Sequence, residues 1–262
     1  MIFRKSGLPL GGSPVSSYIQ VMAKLPTDKE KQAPQSSQAD VNAFLAKVEK
    51  AVPAQRSASD RPGRLIFAMD ATASRQPMWD HACHLQADMF RETANIGGLS
   101  IQLVYYRGFN ECKASRWQQD GKGLARIMSG VTCLGGHTQI GRVLRHGLNA
   151  NDKGKVDALV FVGDAFEEDI DAVCHDAGQL GLVGIPVFLF QEGRDPVAER
   201  AFKQIAKLTG GAWCPFDADS AKQLRDLLSA VAVYASGGRQ AMLDFARDRS
   251  DLKQLTQQIR ER

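Results

Sequence analysis

Asp70, Thr72 and Ser74 sit at alternate positions directly after the apolar run 65–69. One carboxylate and two hydroxyls at such a place form an all-oxygen set. Oxygen donors suit a hard divalent cation such as Mg2+, which takes few protein ligands and keeps several waters. Two further segments carry compatible chemistry. Gly135-Gly136-His137-Thr138 offers a hydroxyl at the mouth of an expected helix, and Val160-Phe161-Val162-Gly163-Asp164 is an apolar run ending in a carboxylate. Together the three segments supply two acids and three hydroxyls. Hydroxyls are neutral, weak ligands. An ion held largely by them keeps net positive charge and welcomes a carboxylate from outside.

The elements that must position these residues alternate between strand and helix. Apolar runs predict strands at 65–69, 100–107, 157–163, 185–191 and 212–216. Amphipathic stretches predict helices at 78–96, 121–129, 138–148, 169–180, 196–209 and 221–235. Gly108-Phe109-Asn110 is too short for a crossover, so 111–118 is expected to pair antiparallel with the strand before it. This order predicts an α/β fold: a doubly wound, mostly parallel sheet flanked by helices, with one short antiparallel edge strand. Open sheets of this kind bind ligands at the C-terminal ends of their strands, where the three segments fall.

The chain has 262 residues, 44% of them hydrophobic, enough for one α/β domain with extensions. Its net charge of +4 is unevenly placed. Residues 1–64 hold ten Lys and Arg against five Asp and Glu, while residues 65–262 hold 23 against 24. The body is therefore close to neutral, which argues against a broad nucleic-acid surface. Residues 1–63 are expected to be a largely disordered extension with a short amphipathic helix near 39–52, and 237–262 a charged C-terminal helix set off by Gly237-Gly238. Five cysteines (Cys83, Cys112, Cys133, Cys174, Cys214) show no CxxC pair and read as reduced thiols. Neither a signal peptide nor an 18-residue apolar run is evident, so a cytoplasmic protein is expected.

Asp70-x-Thr72-x-Ser74, the distant Thr138 in its glycine-led turn and the distant Asp164 resemble, in type and order, the metal-ion-dependent adhesion site of von Willebrand factor type A domains. The resemblance covers about residues 64–236. It implies that Thr72, Ser74 and Thr138 bind the ion through oxygen, while Asp70 and Asp164 hold it directly or through water. The implied ion is Mg2+, with Mn2+ or Ca2+ as alternatives. The implied function is a non-enzymatic protein-binding module that takes an Asp or Glu carboxylate from a partner. Cytoplasmic bacterial members suggest an AAA+ ATPase or a stress-response complex as that partner; the near-neutral body and the lack of an 18-residue apolar run lead to the expectation of no membrane and no nucleic-acid partner. Two departures stand out. Thr72 replaces the usual first Ser but keeps its oxygen, and Gly163 replaces a hydroxyl residue that would support the ligands from behind.

Other readings compete. Thr72 and Ser74 would do no more than cap the following helix, with Asp70 in a turn. A Mg2+-dependent phosphatase or phosphotransferase on a similar sheet would need a second acid two residues after Asp70, where Thr72 stands, and a lysine near Asp164. Lys153 and Lys155 precede the strand that ends at Asp164. There is no G-x-x-x-x-G-K-[ST] loop and no G-x-G-x-x-G after a strand. An RNA- or ribonucleoprotein-associated role is a third alternative. Glu167, Glu168 and Asp169 read as first-turn acids of a helix, or as an outer shell for the ion. His81, Cys83 and His84 share a helix but lack a second ligand pair for Zn2+, and His137 reads as a solvent-facing loop residue.

Overall fold

The computed structural model describes residues 61–93, 98–216 and 221–247. The expected helix at 39–52 and the end of the C-terminal segment lie outside them. Six strands form one sheet: β1 (Gly63–Asp70), β2 (Leu99–Arg107), β3 (Glu111–Ala114), β4 (Ala158–Gly163), β5 (Val187–Glu192) and β6 (Ala212–Phe216). Their order is β3-β2-β1-β4-β5-β6, with every pairing parallel except β2 with β3. The doubly wound sheet with an antiparallel edge is thus as expected.

The helices are α1 (Gln76–Thr93), α2 (Gly121–Ser129), α3 (Ile140–Asp152), α4 (Ile170–Leu182), α5 (Pro196–Thr209) and α6 (Ala221–Arg247). β1 and β4 are buried on both faces, which explains their unbroken apolar runs. Alternate residues serve opposite cores. Leu65, Phe67 and Met69 pack with Trp79 of α1, Leu124 of α2 and Val231 of α6. Ile66 and Ala68 pack with Val143 of α3, Val173 of α4 and Phe202 of α5.

Several boundaries differ from expectation. The 138–148 helix starts at Ile140, with Gln139 at its cap position, so Thr138 stands before it on irregular backbone. β3 stops at Ala114, and Gln118 returns only as an isolated bridge to Ile101. The expected break at 237–238 is a kink: Gly238 adopts φ 73°, and helical structure resumes beyond it to Arg247. Ala241 and Phe245, past the kink, pack half-buried on the first core. No helix among the described residues is long and apolar enough to cross a membrane.

The strand order fixes where a ligand can enter. From β1 the chain winds outward to β2 and β3, then returns to β4 on β1's other side and continues to β5 and β6. Helices leave the sheet in opposite directions on the two sides of that switch, which opens a crevice beyond the ends of β1 and β4. Asp70 is the last residue of β1, and Asp164 follows the last residue of β4.

Candidate functional site

Asp70 is 1% exposed, and its Oδ1 accepts the Thr72 N–H at 2.7 Å. That bond turns the chain and fixes the carboxylate. Burial pushes the Asp70 carboxyl above its ordinary range. The Thr72 N–H and hydroxyl pull it back, Asp164 adds to the rise, and Arg75 opposes it. A carboxylate so buried, with a second acid acting on it, is costly to keep charged.

Thr72 and Ser74 bracket the start of a single helical turn, Ala73–Arg75. The Thr72 side chain makes no capping bond there. Ser74 Oγ instead donates to Asp164 Oδ2, a long bond of 3.4 Å. This geometry counts against the capping alternative, because neither hydroxyl serves the end of the helix that follows. The bond also joins two segments 90 residues apart in sequence.

Thr138 is 6% exposed and fastened to the loop that follows Asp164. Its N–H donates to Glu167 Oε2 at 3.2 Å, and its Oγ1 accepts the Glu167 N–H at 2.9 Å. A hydroxyl oxygen has two lone pairs, so one remains for an ion. Glu168 accepts the N–H groups of Ile140 at 2.5 Å and Gly141 at 3.0 Å, so it caps α3 from another loop. Burial raises the Glu168 carboxyl, and these N–H bonds work against the rise. Of the acidic run, only Asp169 caps its own helix, accepting from Ala172 at 2.8 Å. Glu167 and Glu168 instead lock the Thr138 segment to the Asp164 loop, a role the sequence does not reveal.

Further bonds tie the Thr138 loop to the other strand ends. Leu134 N–H donates to Ala71 O at 3.0 Å, and His137 N–H donates to Gly108 O at 3.3 Å. Gly136 approaches the β2–β3 turn so closely that an added Cβ would stand 2.0 Å from Gly108 O. Gln139 Nε2 donates to Arg107 O and Gly108 O. All five residues singled out in the sequence thus lie at one end of the sheet, Asp70 closing β1 and the others in the segments beyond the strands. Thr72 bonds to Asp70, Ser74 bonds to Asp164, the charge of Asp164 acts on Asp70, and Thr138 joins them through Glu167 and the Leu134 bond.

Two residues missed from sequence also belong here. Arg75 is 2% exposed and pairs with Glu192, the last residue of β5. The signals for them were a basic residue directly after the oxygen motif and an acid ending an apolar strand. Cys133 is half-buried nearby, its thiol pushed up to about 11 by burial first and then by Asp70 and Asp80. With no ion beside it, it stays protonated at neutral pH. Among the described residues no group of three His, Cys, Asp or Glu is placed to hold a metal. The oxygen-bearing side chains singled out at this end of the sheet are three hydroxyls and two carboxylates, groups of a kind that could hold a hard ion. His84 is exposed, and the side chains of His81 and Cys83 lie outside what the structure describes.

The rim of the site is partly apolar. Phe109 is 69% exposed and stands edge-on to His137 with ring centroids 5.1 Å apart. Leu134 is 45% exposed beside the end of β1.

No family model matches the sequence, and no curated protein matches it. Solved structures do. The vWF domain of the type V pili tip protein Mfa5 from Porphyromonas gingivalis superposes with a TM-score of 0.52 at 9% identity, over 66% of this chain and 96% of that one. The pilus adhesin SpaC from Lactobacillus rhamnosus GG gives 0.52 at 13%, over 71% of this chain and 30% of that one. Proximal thread matrix protein 1 from the mussel byssus, solved with a zinc-occupied MIDAS motif, gives 0.51 at 15%, over 66% and 46%. The chain therefore spans less than half the length of the last two. At these identities the likeness establishes the fold, that of a von Willebrand factor type A domain.

Proposed function

We propose that this chain, built on the von Willebrand factor type A fold, is a metal-dependent protein-binding module. Thr72, Ser74 and Thr138 hold a divalent cation through their hydroxyls, and Asp70 and Asp164 hold it directly or through water. Mg2+ is the first choice, with Mn2+ or Ca2+ as alternatives. When bound, the ion supplies an electrophilic position that an Asp or Glu of a partner protein fills.

The observation that carries this reading is the meeting of Asp70, Ser74 and Asp164 at the crevice between β1 and β4, with the serine hydroxyl directed to the second carboxylate rather than to a helix end. The zinc-occupied MIDAS motif of the byssus protein lends support, since that protein has a similar fold. Exposed Phe109 and Leu134 favour docking of a protein surface, because large apolar side chains at a polar site mark contact with a partner.

Phosphoryl transfer fits less well. Lys153 and Lys155 precede β4 and so belong to the opposite end of the sheet from Asp164, while Thr72 stands where a proton-shuttling acid is needed. An AAA+ ATPase or a stress-response complex is the first partner to try. The test is capture of such a partner in Mg2+ and in EDTA, by the intact chain and by Asp70→Ala. Capture that needs both Mg2+ and Asp70 supports the module. Equal capture in EDTA and by the variant contradicts it.

A further inference from the structure

Arg75 ends the helical turn after Ser74, and one of its terminal nitrogens pairs with the Glu192 carboxylate. β4 lies between β1 and β5. A side chain that leaves the chain just beyond β1 and ends on the last residue of β5 therefore crosses the end of β4, where Asp164 begins its loop. The charges of Asp164 and Asp70 both act on it, against the burial that disfavours its charged form. Its Nε and Nη2 are also buried, and neither makes a hydrogen bond among the described residues.

A guanidinium does not shed its proton, and it carries five N–H donors. Keeping one buried with two nitrogens unpaired is costly. Plain packing does not call for such a group, but charge balance does. Asp70, Asp164 and Glu192 bring three carboxylates to one end of the sheet, and Arg75 is the cation buried among them.

We propose that Arg75 is a built-in counter-cation of the site: it balances Asp70 and Asp164 when no ion is bound, and Glu192 sets how strongly they feel its charge. The inference rests on the metal-site reading above and adds its regulation. An incoming divalent cation meets a fixed positive charge and binds more weakly than the five ligands alone would allow. The site then responds to the free cation concentration instead of staying permanently loaded. Arg75 acts through the carboxylates and is a positioning residue, not a ligand.

The test is a Mn2+ titration of the full chain, comparing wild type with Arg75→Met, Arg75→Lys and Glu192→Gln, with melting curves to confirm folding. Arg75→Met is expected to bind Mn2+ about tenfold tighter, given the strength of charge interactions at short range. Arg75→Lys keeps the charge and stays near wild type. Glu192→Gln frees the guanidinium toward the acids and weakens binding. Opposite shifts from the two halves of one ion pair separate this role from a structural one, which would loosen the site in both variants. Should Arg75→Met fail to fold, Arg75→Gln takes its place in the comparison: tighter binding there beside weaker binding in Glu192→Gln supports the proposal, and any other pair of shifts overturns it. Wild-type binding with both variants weakened, or both unchanged, overturns the Arg75 role and leaves the metal site standing. No Mn2+ binding by any form overturns both.

Discussion

Thr138 and Glu167 hold each other twice, each backbone N–H donating to the other's side-chain oxygen, at 3.2 and 2.9 Å. The pair joins the loop before α3 to the loop after β4, so Thr138 is fixed relative to Asp164. Thr138→Ala removes the acceptor for the Glu167 N–H as well as the proposed ligand. Its Mn2+ affinity should fall on the order of 10- to 100-fold, and stability by about 1 kcal/mol. Thr138→Ser should keep both. Equal metal affinity for the alanine variant and wild type would remove Thr138 from the site.

Glu168→Ala should lower the urea midpoint. Two N–H groups at the start of α3, those of Ile140 and Gly141, lose their shared acceptor. Loss of such a cap costs about 1–2 kcal/mol. The dependence on denaturant should keep its slope, since the change is local.

Gly136 and its neighbour Gly135 form a matched pair. A Cβ at Gly136 would stand 2.0 Å from Gly108 O, whereas one at Gly135 meets nothing within 4 Å. Gly136→Ala should cost about 1–3 kcal/mol by forcing the Thr138 loop off the β2–β3 turn. Gly135→Ala should be close to neutral. Thermal melting of the two variants side by side checks this.

Asp70 makes the metal effect pH-dependent. Burial raises its carboxyl in the folded state above the unfolded value. The stability linked to that shift is fully present below the unfolded value and is lost as pH rises through the folded one. At neutral pH the domain therefore carries an unfavourable buried charge that a cation relieves. Near pH 5 more of the carboxyl is protonated and the cation gains less. Mg2+ should raise the melting temperature more at pH 7 than at pH 5, and Asp70→Asn should abolish that difference. An equal Mg2+ effect at both pH values would contradict this.

Phe109 and Leu134 offer a test that leaves the fold alone. Phe109→Ser with Leu134→Ser should change stability by no more than about 0.5 kcal/mol, because both side chains are exposed. Mn2+ affinity should be unchanged, while partner affinity drops by about tenfold or more. Undiminished partner affinity would place the docking surface elsewhere.

The fold was legible because the central strands are buried on both faces and read as unbroken apolar runs. The turn between β2 and β3 gave the antiparallel edge for a similar local reason. Asp70, Thr72 and Ser74 were legible as a motif, and Asp164 as the polar end of an apolar strand. The burial of Arg75 was not. A charged side chain goes inside only when distant acids await it, and Glu192 lies on another strand. The acidic run after Asp164 misled in the same way: Glu168 caps a helix that precedes it in sequence, and only the packing of α3 beside that loop makes this visible. α3 starts two residues later than the sequence predicts because Thr138 looks like a helix-opening hydroxyl, whereas its oxygen is engaged by Glu167.

The central claim is that Asp70, Thr72, Ser74, Thr138 and Asp164 form one divalent-cation site. The most direct measurement is the number of Mn2+ ions bound per chain at pH 7.5, read by electron paramagnetic resonance for wild type and Asp70→Asn, with melting curves confirming that both are folded. One ion per chain is expected for wild type, displaced by Mg2+, and none for the variant. Equal binding by the two proteins, or no binding by wild type, would contradict it.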